Sequence, residues 1–269
     1  MSLPTWPLHV FLIELKKLSS YRIDFWLRMV FAAVAKILIA YYLWDAVFTD
    51  TGAKVIGGYS LQGMVLYFVA ASLLSNLVFG SIDRFASEIY NGTLTRYLLY
   101  PVSFYVYKVV AAYAYAILCV LQVFLGLFVV WLFIGIPADV SISTSSVFTS
   151  IFVCLGSFYL YMIFQSIVEL VAFWTDNVWS LSVALYFIAN FLGGGLIPLS
   201  IFPEWARTLL GYSPFPFFIS FPVNILIGKV TQGELIQGVL LMACWSFLLT
   251  GLAAIIWKRG LRHYSSVGI

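Results

Sequence analysis

Apolar residues run through this chain in long blocks, separated by short polar stretches. About 20 apolar residues suffice for a helix to cross the hydrocarbon core of a bilayer. The blocks therefore predict six spans, at 25–48, 59–80, 104–136, 146–172, 177–202 and 234–258. A further apolar run at 208–228 is not a seventh span. Pro214, Pro216 and Pro222 each remove a backbone donor and disfavour helix at the residue before. A straight lipid-facing helix would be left with unsatisfied groups there. Residues 203–229 read instead as short re-entrant helices on the outer side, packed against protein. Ahead of the first span, residues 1–22 alternate apolar and polar faces and end on Lys16 and Lys17, the pattern of an amphipathic helix lying in the interface. With its charges after a short apolar run and no small-residue cleavage site, this segment is expected to be retained rather than cleaved.

Composition agrees with the pattern. Of 269 residues, 63% are hydrophobic and 9% charged, and mean hydropathy is +1.02. Soluble domains carry about 25% charged residues, so a water-soluble globule is excluded. The expected fold is an all-α membrane protein, one transmembrane domain over residues 1–269.

Lysine and arginine set the orientation. With both termini on one side, ten of the 14 basic residues share that side: Lys16, Lys17, Arg22, Arg28, Arg84, Arg96, Lys108, Lys258, Arg259 and Arg262. Lys54, Arg207 and Lys229 lie opposite, and Lys36 falls within the first span. The basic side is expected to be cytoplasmic, with both termini there.

Candidate chemistry adds little. His9 and His263 sit near opposite ends of the chain in no metal-ligand spacing. Cys119, Cys154 and Cys244 lie in apolar runs and read as small buried hydrophobes. No nucleophile elbow or paired-carboxylate motif appears. The segment "IGKV" at 227–230 lacks the earlier glycine and the following Ser or Thr of a phosphate loop. No catalytic residue, metal site or nucleic-acid partner is expected.

One charged cluster interrupts the apolar blocks, at 82–100 between the second and third spans. Ile82, Phe85, Ile89, Leu94, Leu98 and Leu99 alternate with polar residues, so the segment is expected to lie along the cytoplasmic surface. Asn91-Gly92 signals a turn between two short helices, and Thr93 is expected to cap the second. By physics alone, an amphipathic loop held at the headgroups accounts for it equally well.

The stretch "EIYNGTLTRYLLYPVS" at 88–103 resembles the cytoplasmic signature of ABC-2 type transporter permeases: an acidic residue, Gly-Thr-Leu and Pro-(Val/Leu)-Ser after the second span. The amphipathic start, the six blocks and the outer "GGGLIPLSIFPEWARTLLGYSPF" at 193–215 are similar to that family as well. The resemblance implies the permease subunit of an exporter in a bacterial inner membrane. Energy would come from ATP and Mg bound on a separate ATPase dimer, with no cofactor on this chain. More narrowly, the chain is similar to ABC-2 systems that pair two different permeases with one ATPase, some of them labelled viologen or multidrug exporters. A second permease is thus the expected partner, with a homodimer as the alternative, and the cargo is an amphiphile: a drug, a lipid-like molecule or a glycan. Residues 87–96 become the coupling helix, with Glu88, Asn91, Gly92, Thr93 and Arg96 as ATPase contacts. Glu14, Lys16 and Lys17 would touch the same subunit. The rival reading is an ion-gradient-driven transporter or channel without an ATPase.

Other residues stay open between roles. A lysine near a span centre costs about 2.5–3.5 kcal/mol on insertion scales. Lys36 therefore either lines the translocation path, pairs with an acid of the partner permease, or snorkels from a shifted span. Gly193, Gly194 and Gly195 permit close helix approach, or a gate with Pro198. Glu169 and Asp176 read as solvated boundary acids, with contact to the ATPase or to the start of the third span as the alternative. The 24 Phe, 17 Tyr and 9 Trp supply interfacial belts or, for a lipophilic cation, stacking surfaces.

Overall fold

The computed structural model describes residues 6–20, 22–80, 85–135, 137 and 139–264, and the side chains among them other than those of 19, 20, 22–33, 36 and 129–134. Eleven α-helices form among the described residues. α1 (Trp6–Ser20) is followed by the long α2 (Arg22–Thr51) and by α3 (Leu61–Phe79). Two six-residue helices, α4 (Phe85–Tyr90) and α5 (Leu94–Leu99), precede α6 (Phe104–Ile134). α7 (Thr144–Glu169) runs on into a 3-10 turn at Leu170–Phe173, and α8 (Trp179–Leu192) follows. α9 (Glu204–Tyr212), α10 (Ser220–Leu226) and the 32-residue α11 (Gln232–His263) complete the chain.

Polar side chains start the long helices where their first N–H groups need acceptors. The Ser60 hydroxyl accepts from Gly63 N–H at the start of α3. Ser143 and Ser146 close a capping box on α7, and Thr231 and Glu234 close one on α11.

α3 is the centre of the bundle. It packs against α2, α6, α7 and α10, and Met64, Tyr67, Ala70, Ala71 and Leu77 are fully buried. α1 lies along α6, and α11 lies along α7 at the periphery. α8 packs on α7. A second, smaller apolar core lies at one end of the bundle, where Phe85, Ile89 and Leu94 meet Phe104, Leu170 and Val178.

Among the described residues, four helical stretches are long and apolar enough to cross a membrane: Leu61–Phe79, Phe104–Phe128, Thr144–Phe173 and Gln232–His263. They coincide with the blocks expected at 59–80, 104–136, 146–172 and 234–258. The expected block at 25–48 falls within α2, whose 30 residues extend about 45 Å at 1.5 Å each, with the side chains of 22–33 and 36 outside the described residues. α8 is apolar, yet its 14 residues reach only about 21 Å. Its helix stops at Leu192, because Gly194 takes φ +85° and the chain turns.

The stretch at 203–229 is divided between α9, a 3-10 turn at Phe215–Phe217, and α10. Phe218, Ile219, Val223 and Ile227 are fully buried there, with α10 held between α7 and α3. Backbone donors in this irregular stretch find protein acceptors, Phe218 N–H at Phe215 O at 3.0 Å and Ser220 N–H at Gly193 O at 2.9 Å.

Candidate functional site

Helices of six residues do not persist alone, because nucleation outweighs so few hydrogen bonds. α4 and α5 are held by the bundle instead. They join at Asn91-Gly92, where Gly92 has φ +68° with open space around it, a turn position that favours glycine. Phe85, Ala86, Ile89 and Leu94 are buried in the smaller core. Beneath them Phe104 stacks on Trp257 at 5.3 Å, and the Thr95 and Tyr264 hydroxyls meet at 3.2 Å. The hairpin is thus tied to the starts of α6 and the end of α11 together.

Two carboxylates lock it in place. Glu88 pairs with Lys108 of α6 at 3.2 Å. Lys108 is 3% exposed, with the rings of Tyr97 and Phe104 5.9 and 5.6 Å from its ammonium. The Thr93 hydroxyl donates to the other Glu88 oxygen. Glu169, in the last turn of α7, accepts from Phe85 N–H at 2.6 Å through one oxygen and from the Gln165 amide at 3.0 Å through the other. It is 3% exposed, which corrects its reading as a solvated acid. The first N–H of α4 needs an acceptor, and the end of α7 supplies one inside the protein.

The expected contact residues separate into two groups. Glu88 turns inward to Lys108, and Thr93 follows it. The Thr93 hydroxyl accepts no N–H of α5, correcting that expectation: Thr93 is already helical at φ −68°, ψ −17° rather than extended, and its hydroxyl donates to Glu88. Asn91 and Arg96 face outward, beside the exposed Tyr90, Leu98, Leu99 and Tyr100. On α1, Lys17 and Glu14 form an ion pair at 3.4 Å, and Lys16 is exposed. Lys36 lies on α2, with its side chain outside the described residues.

Gly193, Gly194 and Gly195 sit where α8 breaks. Tyr67 OH donates to Gly194 O at 2.8 Å, and Ser220 N–H donates to Gly193 O at 2.9 Å. A Cβ on Gly194 would come within 2.8 Å of the Tyr67 oxygen and 2.9 Å of Ser220 Cβ. Pro198 is buried nearby in the chain.

The same end of the bundle carries a polar rim. Asp139 accepts from Ser60 N–H at 3.0 Å and from its hydroxyl at 2.7 Å. Lys229 donates to Gly58 O at 2.6 Å and sits 3.3 Å above the Tyr59 ring, whose hydroxyl reaches Asn224 at 2.8 Å. Burial alone would raise the Asp139 carboxyl, but the Ser60 hydrogen bonds and the Lys229 charge outweigh it and hold it below its ordinary range.

Below α4 lies a cavity of about 360 Å³, between the end of α3, the last turns of α7 and the start of α8. Phe79, Tyr161 and Tyr186 form its aromatic wall, and Gln165, Glu169 and Ser182 its polar one.

Sequence reasoning missed Lys108 as a partner and Glu169 as an anchor. The available signal was weak: a lysine four residues past Phe104 and the single acid ending an apolar block. Comparison with curated proteins found no match. The sequence model described as ABC-2 family transporter protein matches residues 16–268; this multi-pass chain, with its buried helical bundle and anchored surface hairpin, belongs to that family.

Proposed function

We propose that this chain is the permease subunit of an ABC-2 exporter in a bacterial inner membrane. α4 and α5 dock on a separate ATPase that binds ATP and Mg. The complex has six spans in each permease, both termini in the cytoplasm, and a second, different permease as partner. The observation that carries this reading is the split within the hairpin: Glu88, Ile89 and Leu94 are committed inward while Asn91, Arg96, Leu99 and Tyr100 stand free at the surface. An ordinary surface loop does not need a buried ion pair to α6 and a carboxylate clamp to α7. A docking lever does, since force applied at its exposed face must reach the spans without being lost in bending.

Glu88–Lys108 transmits a displacement to α6, and Glu169 transmits it to α7. α7 packs on α11, α10 and α3, so a tilt of α7 reaches the glycine break at 193–198, the candidate gate. Alternation then proceeds by rigid-body rocking and moves an amphiphilic cargo such as a drug, a lipid-like molecule or a glycan.

The test is co-purification of the full chain with its ATPase under gentle solubilisation. Arg96→Ala combined with Leu99→Ala removes exposed contacts only, and ATPase association is expected to weaken about tenfold, or 1.4 kcal/mol, with membrane insertion unchanged. Absence of any associated ATPase would sink the reading. Undiminished association of the double variant would move the docking face elsewhere.

A further inference from the structure

The cavity below α4 has two chemically distinct walls. Along α7, Tyr161, Gln165 and Glu169 recur every four residues and so share one face of the helix. They are linked in series, Tyr161 OH to Gln165 at 3.4 Å and the Gln165 amide to Glu169 at 3.0 Å. The adjoining wall is aromatic and shares Tyr161: Phe79 lies 4.5 Å from the Tyr161 ring and 5.2 Å from that of Tyr186, both edge-to-face. Ser182 of α8 faces the same space. The volume, about 360 Å³, falls in the range of small-molecule pockets, roughly 300–1,000 Å³.

A ring system fits the aromatic wall, and an amine fits the polar stripe, where the carboxylate and the ring faces both attract a cation. We propose that this cavity binds a small aromatic amine and that α4 senses its occupancy through Glu169. The sensing follows from how the carboxylate is shared. One oxygen belongs to the stripe lining the cavity, and the other holds the first N–H of α4. A ligand that draws on the carboxylate changes the anchor of the hairpin. Calling the ligand a cargo, and the sensing a signal to an ATPase, rests on the permease reading; the site itself does not.

The test therefore uses the full-length chain alone, in lipid nanodiscs, without any ATPase. Dansylcadaverine serves as the amine probe and N-butyl dansylamide as its neutral counterpart. Saturable, blue-shifted binding of the amine is expected. Ser182→Trp fills the cavity without touching either anchor, and it is expected to weaken both probes at least tenfold. Glu169→Gln keeps an acceptor for Phe85 N–H but removes the charge, so the amine should weaken about tenfold while the neutral probe is unchanged. Amide exchange across α4 should shift with saturating amine in the parent chain and stay fixed in Ser182→Trp. Unsaturable partitioning, parent-like titration of Ser182→Trp, or equal loss of both probes in Glu169→Gln would overturn the site. An α4 exchange pattern indifferent to bound amine would overturn the sensing. Failure of ATPase co-purification would leave these titrations standing, so the two readings fail separately.

Discussion

The α4–α5 hairpin and the broken stretch from Gly193 through α10 both interrupt the long helices, yet they are held by opposite means. The hairpin is fixed by charge, through Glu88 to Lys108 and Glu169 to Phe85 N–H. The other stretch is fixed by close backbone approach and neutral hydrogen bonds, with Tyr67 OH on Gly194 O and Ser220 N–H on Gly193 O. Both keep exposed residues, Arg96 and Leu99 on the hairpin and Trp205 and Leu209 on α9, but the second also buries Phe218, Ile219 and Val223 completely. Burial explains the difference. Irregular backbone deep in a bundle must satisfy its own polar groups there, and a glycine lets a neighbouring hydroxyl reach the carbonyl. A hairpin with one side free tolerates ions, and ionic anchors fix its orientation better than apolar contact alone.

The largest effect is expected where packing is closest. Gly194→Ala adds a Cβ at φ +85° and pushes it against Tyr67 and Ser220. The backbone penalty of about 1–2 kcal/mol and overpacking of about 1–3 kcal/mol should together lower the unfolding midpoint in detergent by several degrees. A parent-like midpoint would remove close approach as the principle of that end. Glu88→Ala comes next, since it strips a charged partner from buried Lys108; about 1.5–3 kcal/mol is expected. The loss should show as faster amide exchange confined to α4 and α5, and exchange spread evenly over the bundle would contradict a local ionic lock. Tyr67→Phe removes one neutral bond at Gly194 and should cost about 1 kcal/mol. If it proved as damaging as Glu88→Ala, the two ends would not differ in kind.

These effects also mark what was legible beforehand. Long apolar runs announced α3, α6, α7 and α11, since hydropathy reports a preference for lipid directly. Asn91-Gly92 announced the hairpin turn, and the prolines at 214, 216 and 222 announced a broken segment, because both act on the local backbone. Pairings were hidden. Glu88 and Lys108 are 20 residues apart and meet only when α4 folds onto α6. Glu169, last in an apolar block, has the sequence appearance of any boundary acid; only the arrival of α4 makes it an anchor. Thr93 looked like a cap by position, but capping needs an extended backbone at that residue, and Thr93 has already turned helical at φ −68°, ψ −17°. The stop of α8 at Leu192 depends on Gly194 being held by Tyr67, 127 residues earlier.

The glycine-packed end also uses charge, and the smallest effect is expected there. Asp139 sits at the rim, bonded to Ser60 and near Lys229, with its carboxyl held below the ordinary range of about 4. A carboxyl depressed by folding binds its proton more readily in the unfolded chain. Its contribution to stability is therefore complete above pH 4 and drains away as pH falls through the depressed folded value. Because the group is only partly buried, the contribution is screened and small. Unfolding midpoints of the parent and of Asp139→Asn, measured from pH 7 to pH 3, are expected to differ modestly at neutral pH and to converge under acid. Convergence would place the charge in a solvent-facing layer over a core held by packing. A difference that persisted unchanged at pH 3 would mean that Asp139 acts by shape and hydrogen bonding alone, and the glycine-packed end would then owe nothing to ions at all.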